Sequence, residues 1–300
     1  MEERTPLTWA AFLTASGIWG STFLVISIGN DALAPVWAAA LRLGLAAVLL
    51  GGLAVSVEGG LPRGAALRAA GLYGFFGFGV NFPLLYWGET IVPSGIAAVI
   101  FATIPLSTAL MARAFGMERL TRMKIAGTLV ALGGVALLFS AELAAAIPAL
   151  PLLALLGGAT SAALAGVLLK RGPRVRPFGA NAVGAAVGFA VSLPVSFVVG
   201  EERVLPATFD AAFPVLYLTI VGSVGAYVLM AWLLNHWHAS SVAFVTVIIP
   251  VIALALGAVV RDERPGPMSF VGAALILAGI ALDWRASRRE AAAAVVAPKG

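Results

Sequence analysis

Cysteine is missing from this 300-residue chain, and histidine occurs only twice, as His236 and His238. The first absence excludes disulfides and thiolate metal sites, and the second leaves too few imidazoles for a histidine cage. Neither a metal nor a cofactor is expected. Charge is scarce as well: 11% of the residues are charged and 61% are hydrophobic, for a mean hydropathy of +1.00. Such a composition cannot supply the polar surface of a water-soluble domain of this length. The expected solvent is a lipid bilayer, whose hydrocarbon core of about 30 Å takes roughly 20 apolar residues per helical crossing.

A third scarcity bears on mechanism. No Asp, Glu or Lys falls in the middle third of any predicted helix, and Glu89 lies at the outer end of its own. A proton-driven exporter of cations needs an intramembrane carboxylate, and an organophosphate carrier needs buried cations. Neither pattern is present, so obligatory coupling to protons is not expected. An enzyme is not expected either: there is no pair of buried aspartates, no Ser-His dyad within the membrane and no Gly-x-Ser-x-Gly elbow.

What is present is a series of apolar runs separated by charges, Gly and Pro. They predict an all-α integral membrane protein with ten transmembrane helices near 8–28, 35–55, 66–87, 93–113, 124–141, 150–169, 178–199, 211–234, 240–260 and 268–284. Only Arg4 precedes the first run and no convincing cleavage site follows it, so that run reads as a retained helix and not a signal peptide. The net charge of +5 does not call for nucleic acid, because the cations sit in short loops, where they orient helices. With the N-terminus inside, fifteen of the nineteen Lys and Arg residues fall on the inside. Only Arg203, Arg261 and Arg264 fall outside, and Arg42 lies within a helix. Both termini are therefore expected in the cytoplasm, with the chain multi-pass in the cell (inner) membrane.

Shifting the chain by 145 residues superposes 94–139 on 239–284 with eleven identities in 46 positions. The pairs include Pro105 with Pro250, Glu118 with Glu263, Arg119 with Arg264, Met123 with Met268, Gly127 with Gly272 and Gly134 with Gly279. Composition bias yields Ala and Leu coincidences, not rare residues at one fixed offset. The expected units are a first five-helix repeat over 1–145, a second over 146–285, and a disordered cytoplasmic tail over 286–300. Five is odd, so the repeats cross the membrane in opposite senses, an arrangement used for alternating access in many secondary transporters.

Ile18-Trp19-Gly20-Ser21-Thr22-Phe23, Pro35 followed by Arg42, Pro105 followed by Glu118-Arg119-Leu120, and Pro250 with Glu263-Arg264 resemble the EamA branch of the drug/metabolite transporter superfamily. The resemblance covers nearly the whole chain and implies ten helices in two inverted five-helix repeats around a central cavity. Within that branch the length and the aromatic-rich, uncharged third helix look like aromatic amino acid exporters of the YddG type. Pro265 and Gly266, where the first repeat has Leu120 and Thr121, depart from the pattern at one outer turn.

Candidate cavity residues are small polar or aromatic groups, taken as one face per central helix: Trp19 and Ser21, Asn81 and Tyr86, Phe101, and Ser161. Ser223 and Tyr227, one turn apart, and Phe244 with Thr246 complete the set. Such walls suit a neutral, zwitterionic or flat apolar solute, although any one of these rings could equally face lipid or core. Pro105 and Pro250, near the midplane, are candidate hinges, the alternative being simple kinks. Arg42 is functional by default at its depth, unless it snorkels or caps carbonyls of a neighbouring helix. The Glu-Arg pairs are expected to cap helices, the glycines at 127, 134, 272 and 279 to let helices approach closely, and His236 and His238 to lie solvated in a loop. Gly71, Gly74, Gly77 and Gly79 make room for either a neighbouring helix or a cavity. The expected function is a secondary transporter exporting small metabolites, with neutral or aromatic amino acids first and hydrophobic drugs as the alternative.

Overall fold

The computed structural model describes residues 5–92, 94–118, 121–138, 148–260 and 267–296. Arg4, Arg119, Leu120, Arg261, Glu263, Arg264, Pro265, Gly266 and Lys299 lie outside the described residues. Helix α1 covers Pro6–Asn30 and α2 covers Pro35–Glu58. Proline opens both, in a position where its missing N–H costs no helical bond. Thr5 closes a capping box with Thr8 ahead of α1. The third predicted helix is interrupted: α3 (Ala65–Gly74) passes through a π-helical stretch, Phe75–Val80, into α4 (Asn81–Gly88). The fourth is broken into α5 (Ser94–Phe101) and α6 (Ile104–Ala114). After α7 (Arg122–Leu138) come α8 (Ala149–Arg171) and α9 (Pro177–Val198). The eighth predicted helix again carries a π-helical stretch, Leu218–Ala226, between α10 (Phe209–Tyr217) and α11 (Tyr227–His236). Then follow α12 (Ala239–Ala243), α13 (Val245–Val260) and α14 (Pro267–Val296).

Among the described residues six helical segments are long and apolar enough to cross a membrane: Pro6–Asn30, Pro35–Glu58, Ile96–Ala114, Ala149–Arg171, Pro177–Val198 and Phe209–His236. Ala239–Ile252 and Phe270–Leu282 are shorter apolar helices. Large apolar side chains stand exposed on the outside, such as Val48, Phe209 and Val198, the last 86% accessible. In water that surface would associate; against lipid it is at home.

Packing repeats itself between the halves. Helix α1 lies on α13, and α8 lies on α6 and α5; α2 pairs with α9, and α7 with α14. The α2–α9 pair is tied at both ends. The Glu58 carboxylate, at the end of α2, accepts the N–H groups of Phe178 at 3.0 Å and Gly179 at 2.8 Å, at the start of α9. The Glu201 carboxylate, just after α9, accepts those of Val36 at 2.9 Å and Trp37 at 2.8 Å, at the start of α2. Each acid thus satisfies orphan donors of the partner helix and faces the positive end of its dipole.

Several expectations are corrected. Helix α14 runs to Val296, past the predicted end at 284, because the Arg- and Ala-rich segment after Trp284 has high helix propensity. The two histidines are partly exposed, and His236 closes α11 rather than lying in the loop. His236 packs on Trp232 with ring centres 4.1 Å apart, and its Nδ1 is 2.8 Å from the Trp232 carbonyl. Trp237 is buried against Trp9 and Phe12. Glu118 caps as expected, accepting from Ser240 Oγ and from the Ser240 N–H at 3.4 Å, with Lys124 Nζ 3.7 Å away. Of the third-helix glycines, Gly74 and Gly79 make room for α9 and Gly77 for α8.

Candidate substrate cavity

Between the two halves of the chain lies a cavity of about 120 Å³ of water-accessible space. It runs from Ile26 and Leu85 down to Thr108, Leu234 and Ala239, close to the junction of α11 and α12. One wall is aromatic: Trp19 and Phe23 from α1, Phe82 from α4, Phe101 at the end of α5 and Tyr227 at the start of α11. Trp19 meets Tyr227 edge-on at 5.0 Å, and Phe23 meets Phe101 likewise at 5.8 Å. Tyr227 also lies 4.7 Å from Phe78 and 6.1 Å from Phe82. These edge-to-face and tilted contacts hold the rings in place around the space they line. The opposite wall is made of small residues of α8, Ala162, Ala163, Ala165 and Gly166, which give the cavity its width.

Of the sequence-predicted residues, the structure brings Trp19, Asn81, Phe101, Tyr227 and Thr246 together on the wall. It does not bring Ser21, Tyr86, Ser161, Ser223 or Phe244 there. Ser21 Oγ is held at 2.7 Å from both the Ile18 carbonyl and the Tyr217 hydroxyl. Ser161 Oγ donates at 2.7 Å to the Phe76 carbonyl, within the π-helical stretch. Phe244 is packed away at the break between α12 and α13. The cause is general: in an apolar bundle a short hydroxyl takes the nearest carbonyl before it can reach a solute. Asn81 is on the wall, and only the nitrogen of its amide is engaged by the protein. Nδ2 donates to the Gly77 carbonyl at 3.2 Å, whereas Oδ1, beside Gly158, is buried without a hydrogen-bond partner among the described residues.

Arg42 is the charged residue of the wall and is only 3% exposed. It neither snorkels nor caps a carbonyl. Its Nε donates to Ser223 Oγ at 2.9 Å and its Nη1 to the Tyr86 hydroxyl at 3.1 Å, and the guanidinium lies 4.8 Å from the centre of the Phe82 ring. So Tyr86 and Ser223, expected on the wall, stand behind it and hold the cation. Sequence reasoning missed Tyr73, Thr22 and Phe82 on the wall. Tyr73, Gly77 and Asn81 follow at intervals of four, a helical face that was available in the sequence.

One of the two candidate hinges adjoins a helix break and the other does not. Pro105 sits in the first turn of α6, directly after the interruption at Ala102 and Thr103. Pro250 lies inside α13, beyond the break at Phe244. Among the described residues no group of three or more His, Cys, Asp or Glu is placed to hold a metal ion.

A lipid-facing helical bundle with a part-polar cavity between two similarly packed halves has the build of a membrane transporter. Residues 7–140 and 149–283 each match the EamA-like transporter family, and the chain belongs to that family. It is 30% identical over 295 residues to a probable terminal-alkyne amino-acid exporter of Streptantibioticus cattleyicolor, covering 94% of this chain and 96% of the other. Identity to the inner membrane transporter YedA of Escherichia coli K12 is also 30%, over 94% and 92% of the two chains. A probable amino-acid metabolite efflux pump of the same organism is 26% identical over 89% and 93%. One solved crystal structure superposes with a TM-score of 0.76 at 20% identity, over 95% of this chain and 99% of that one, a likeness of fold. The family and its relatives point to transport across a cell membrane and not to catalysis.

Proposed function

We propose that the chain exports neutral amino acids, aromatic ones first, across the cell membrane by alternating access of the central cavity. The observation that carries this reading is the wall itself: fixed aromatic faces around Trp19 and Tyr227, interrupted by few polar groups. A flat, ring-bearing zwitterion gains dispersion and edge-to-face contact there without meeting a carboxylate. The names of two relatives, an amino-acid exporter and an amino-acid metabolite efflux pump, support the same class. In this reading ten spans form two inverted repeats over 1–145 and 146–285, and both termini are cytoplasmic. The cavity then reaches toward the cytoplasm, and Trp19, Asn81, Phe101, Tyr227 and Thr246 meet the solute. Pro105 and Pro250 mark where the spans bend.

The largely hydrocarbon lining also favours a second reading, export of hydrophobic drugs. Counterflow of labelled amino acids in proteoliposomes, run beside a panel of hydrophobic cations and neutral dyes, separates the two. Exchange of phenylalanine supports the first reading; exchange confined to the dyes supports the second and ends the first.

A further inference from the structure

We infer that Arg42 is the carboxylate-binding residue of the cavity, and that the hydroxyls of Ser223 and Tyr86 position it. The inference rests on the amino-acid reading above and narrows it to solutes that carry a carboxylate. Arg42 stands seven residues into α2, roughly 10 Å along the helix at 1.5 Å per residue, within the apolar part of the bundle. A charge there is retained only where something pairs with it. Among the described residues its side-chain partners are two neutral hydroxyls and the face of one ring, with no carboxylate in ion-pair range.

The geometry leaves part of the guanidinium for a ligand. Arginine has five N–H donors, of which one on Nε and one on Nη1 are engaged. Nη2 lies beside Gly222, where a Cβ would come within 3.0 Å of it, so a larger residue there would displace the guanidinium. Arg42 borders the cavity with its guanidinium by the Phe82 ring, which in turn lies 6.1 Å from Tyr227. With Nε and one Nη1 donor held by the two hydroxyls, three donors remain on Nη1 and Nη2, the number and planar spacing that a carboxylate's two oxygens require. The rings beside it receive the apolar body of the same solute. The charged residues among those lining the cavity do not include an acid, so a free amine finds no countercharge there. The structure thus assigns recognition to the carboxylate and not to the ammonium.

The test uses the full-length wild-type protein in proteoliposomes, with phenylalanine counterflow as readout. 3-Phenylpropionate, which keeps the ring and carboxylate, should compete about 10-fold or more better than phenethylamine, which keeps the ring and amine. Arg42→Gln should raise the KM for phenylalanine by a similar factor and abolish the difference between the two competitors, while Arg42→Lys should retain part of it. Ser223→Ala should weaken the discrimination without reversing it, a change that loss of packing alone would not produce. If phenethylamine competes as well as phenylpropionate on the wild type, the inference fails while the amino-acid reading stands. Should the wild type exchange phenethylamine but not phenylalanine, both are overturned. Because the competitor ratio is measured on the native protein, poor folding of Arg42→Gln does not decide the outcome.

Discussion

Gly134 of α7 faces the carbonyl of Gly272 in α14 so closely that a Cβ at 134 would lie 2.6 Å from that oxygen. The converse contact is there too, with a Cβ at Gly279 falling 2.5 Å from the Gly127 carbonyl. Under the 145-residue offset Gly134 corresponds to Gly279 and Gly127 to Gly272. The two contacts are therefore one contact made twice, as a two-fold relation between the repeats requires.

Gly134→Ala should accordingly cost about 1–3 kcal/mol or more, because the obstacle is backbone and cannot rotate away. Gly133, one residue earlier, has nothing within 4 Å of an added Cβ, so Gly133→Ala should be neutral or stabilising. Thermal unfolding of the purified protein in detergent, followed by size-exclusion, compares the pair. Equal melting of both variants would mean that α7 and α14 do not meet through these glycines.

The hinge proposal leads to a second expectation. Pro105 cannot donate to the Phe101 carbonyl, and the helix is already interrupted at Ala102 and Thr103. Pro105→Ala restores a donor and favours one continuous helix from α5 into α6. It should slow turnover several-fold with little change in KM, and Pro250→Ala should do the same from within α13. Maximal rate and KM for counterflow measure this; wild-type rates in both variants would refute bending at the prolines.

How much was legible in the sequence follows from how local each signal is. The glycines at 127, 134, 272 and 279 declared their contact because small residues at helical spacing have one use in an apolar bundle. Trp19, Phe101 and Tyr227 were found because aromatic faces on central helices have few places to go. Ser21, Ser161 and Ser223 misled for the opposite reason. A hydroxyl's partner depends on its neighbours, and those neighbours are the Tyr217 hydroxyl, the Phe76 carbonyl and the Arg42 guanidinium. Both π-helical stretches also escaped, since a sequence of Gly, Val and Phe reads equally well as regular α-helix.

Glu89, just beyond the end of α4, tests the expected independence from protons. Its carboxylate oxygens are buried without a hydrogen-bond partner among the described residues, and the side chain is not on the cavity wall. Burial pushes its carboxyl well above the usual carboxylate range. An acid whose pKa is raised by folding contributes fully below its unfolded value, about 4.3, and loses that contribution as pH rises toward the folded value. Glu89→Gln, which mimics the neutral acid, should therefore be at least as stable as the wild type at neutral pH and lose less stability on alkalinisation. Transport should be unchanged in the variant, with or without a pH gradient. Accumulation that needs the gradient in the wild type, and disappears in Glu89→Gln, would make this carboxyl a coupling site.

The last expectation concerns what the aromatic wall selects. Phe101 and Tyr227 both border the cavity, and each is already steadied by another ring: Phe23 for the first, Trp19 for the second. A ring-bearing solute adds one more edge-to-face or offset contact to each, worth about 0.5–1.5 kcal/mol beyond burial, or roughly 2- to 10-fold in affinity. A small aliphatic solute gains no such contact. Phe101→Ala and Tyr227→Ala should therefore raise the KM for phenylalanine by that factor and leave the KM for alanine nearly unchanged. Asn81→Ala should behave differently. Its Nδ2 is held by the Gly77 carbonyl while its buried Oδ1 has no partner among the described residues and can accept from any solute that carries a donor, so its loss should reduce transport of both solutes alike. Paired uptake of phenylalanine and alanine at matched expression distinguishes these patterns. If both aromatic variants lose the two solutes equally, the rings support the bundle and do not read the solute.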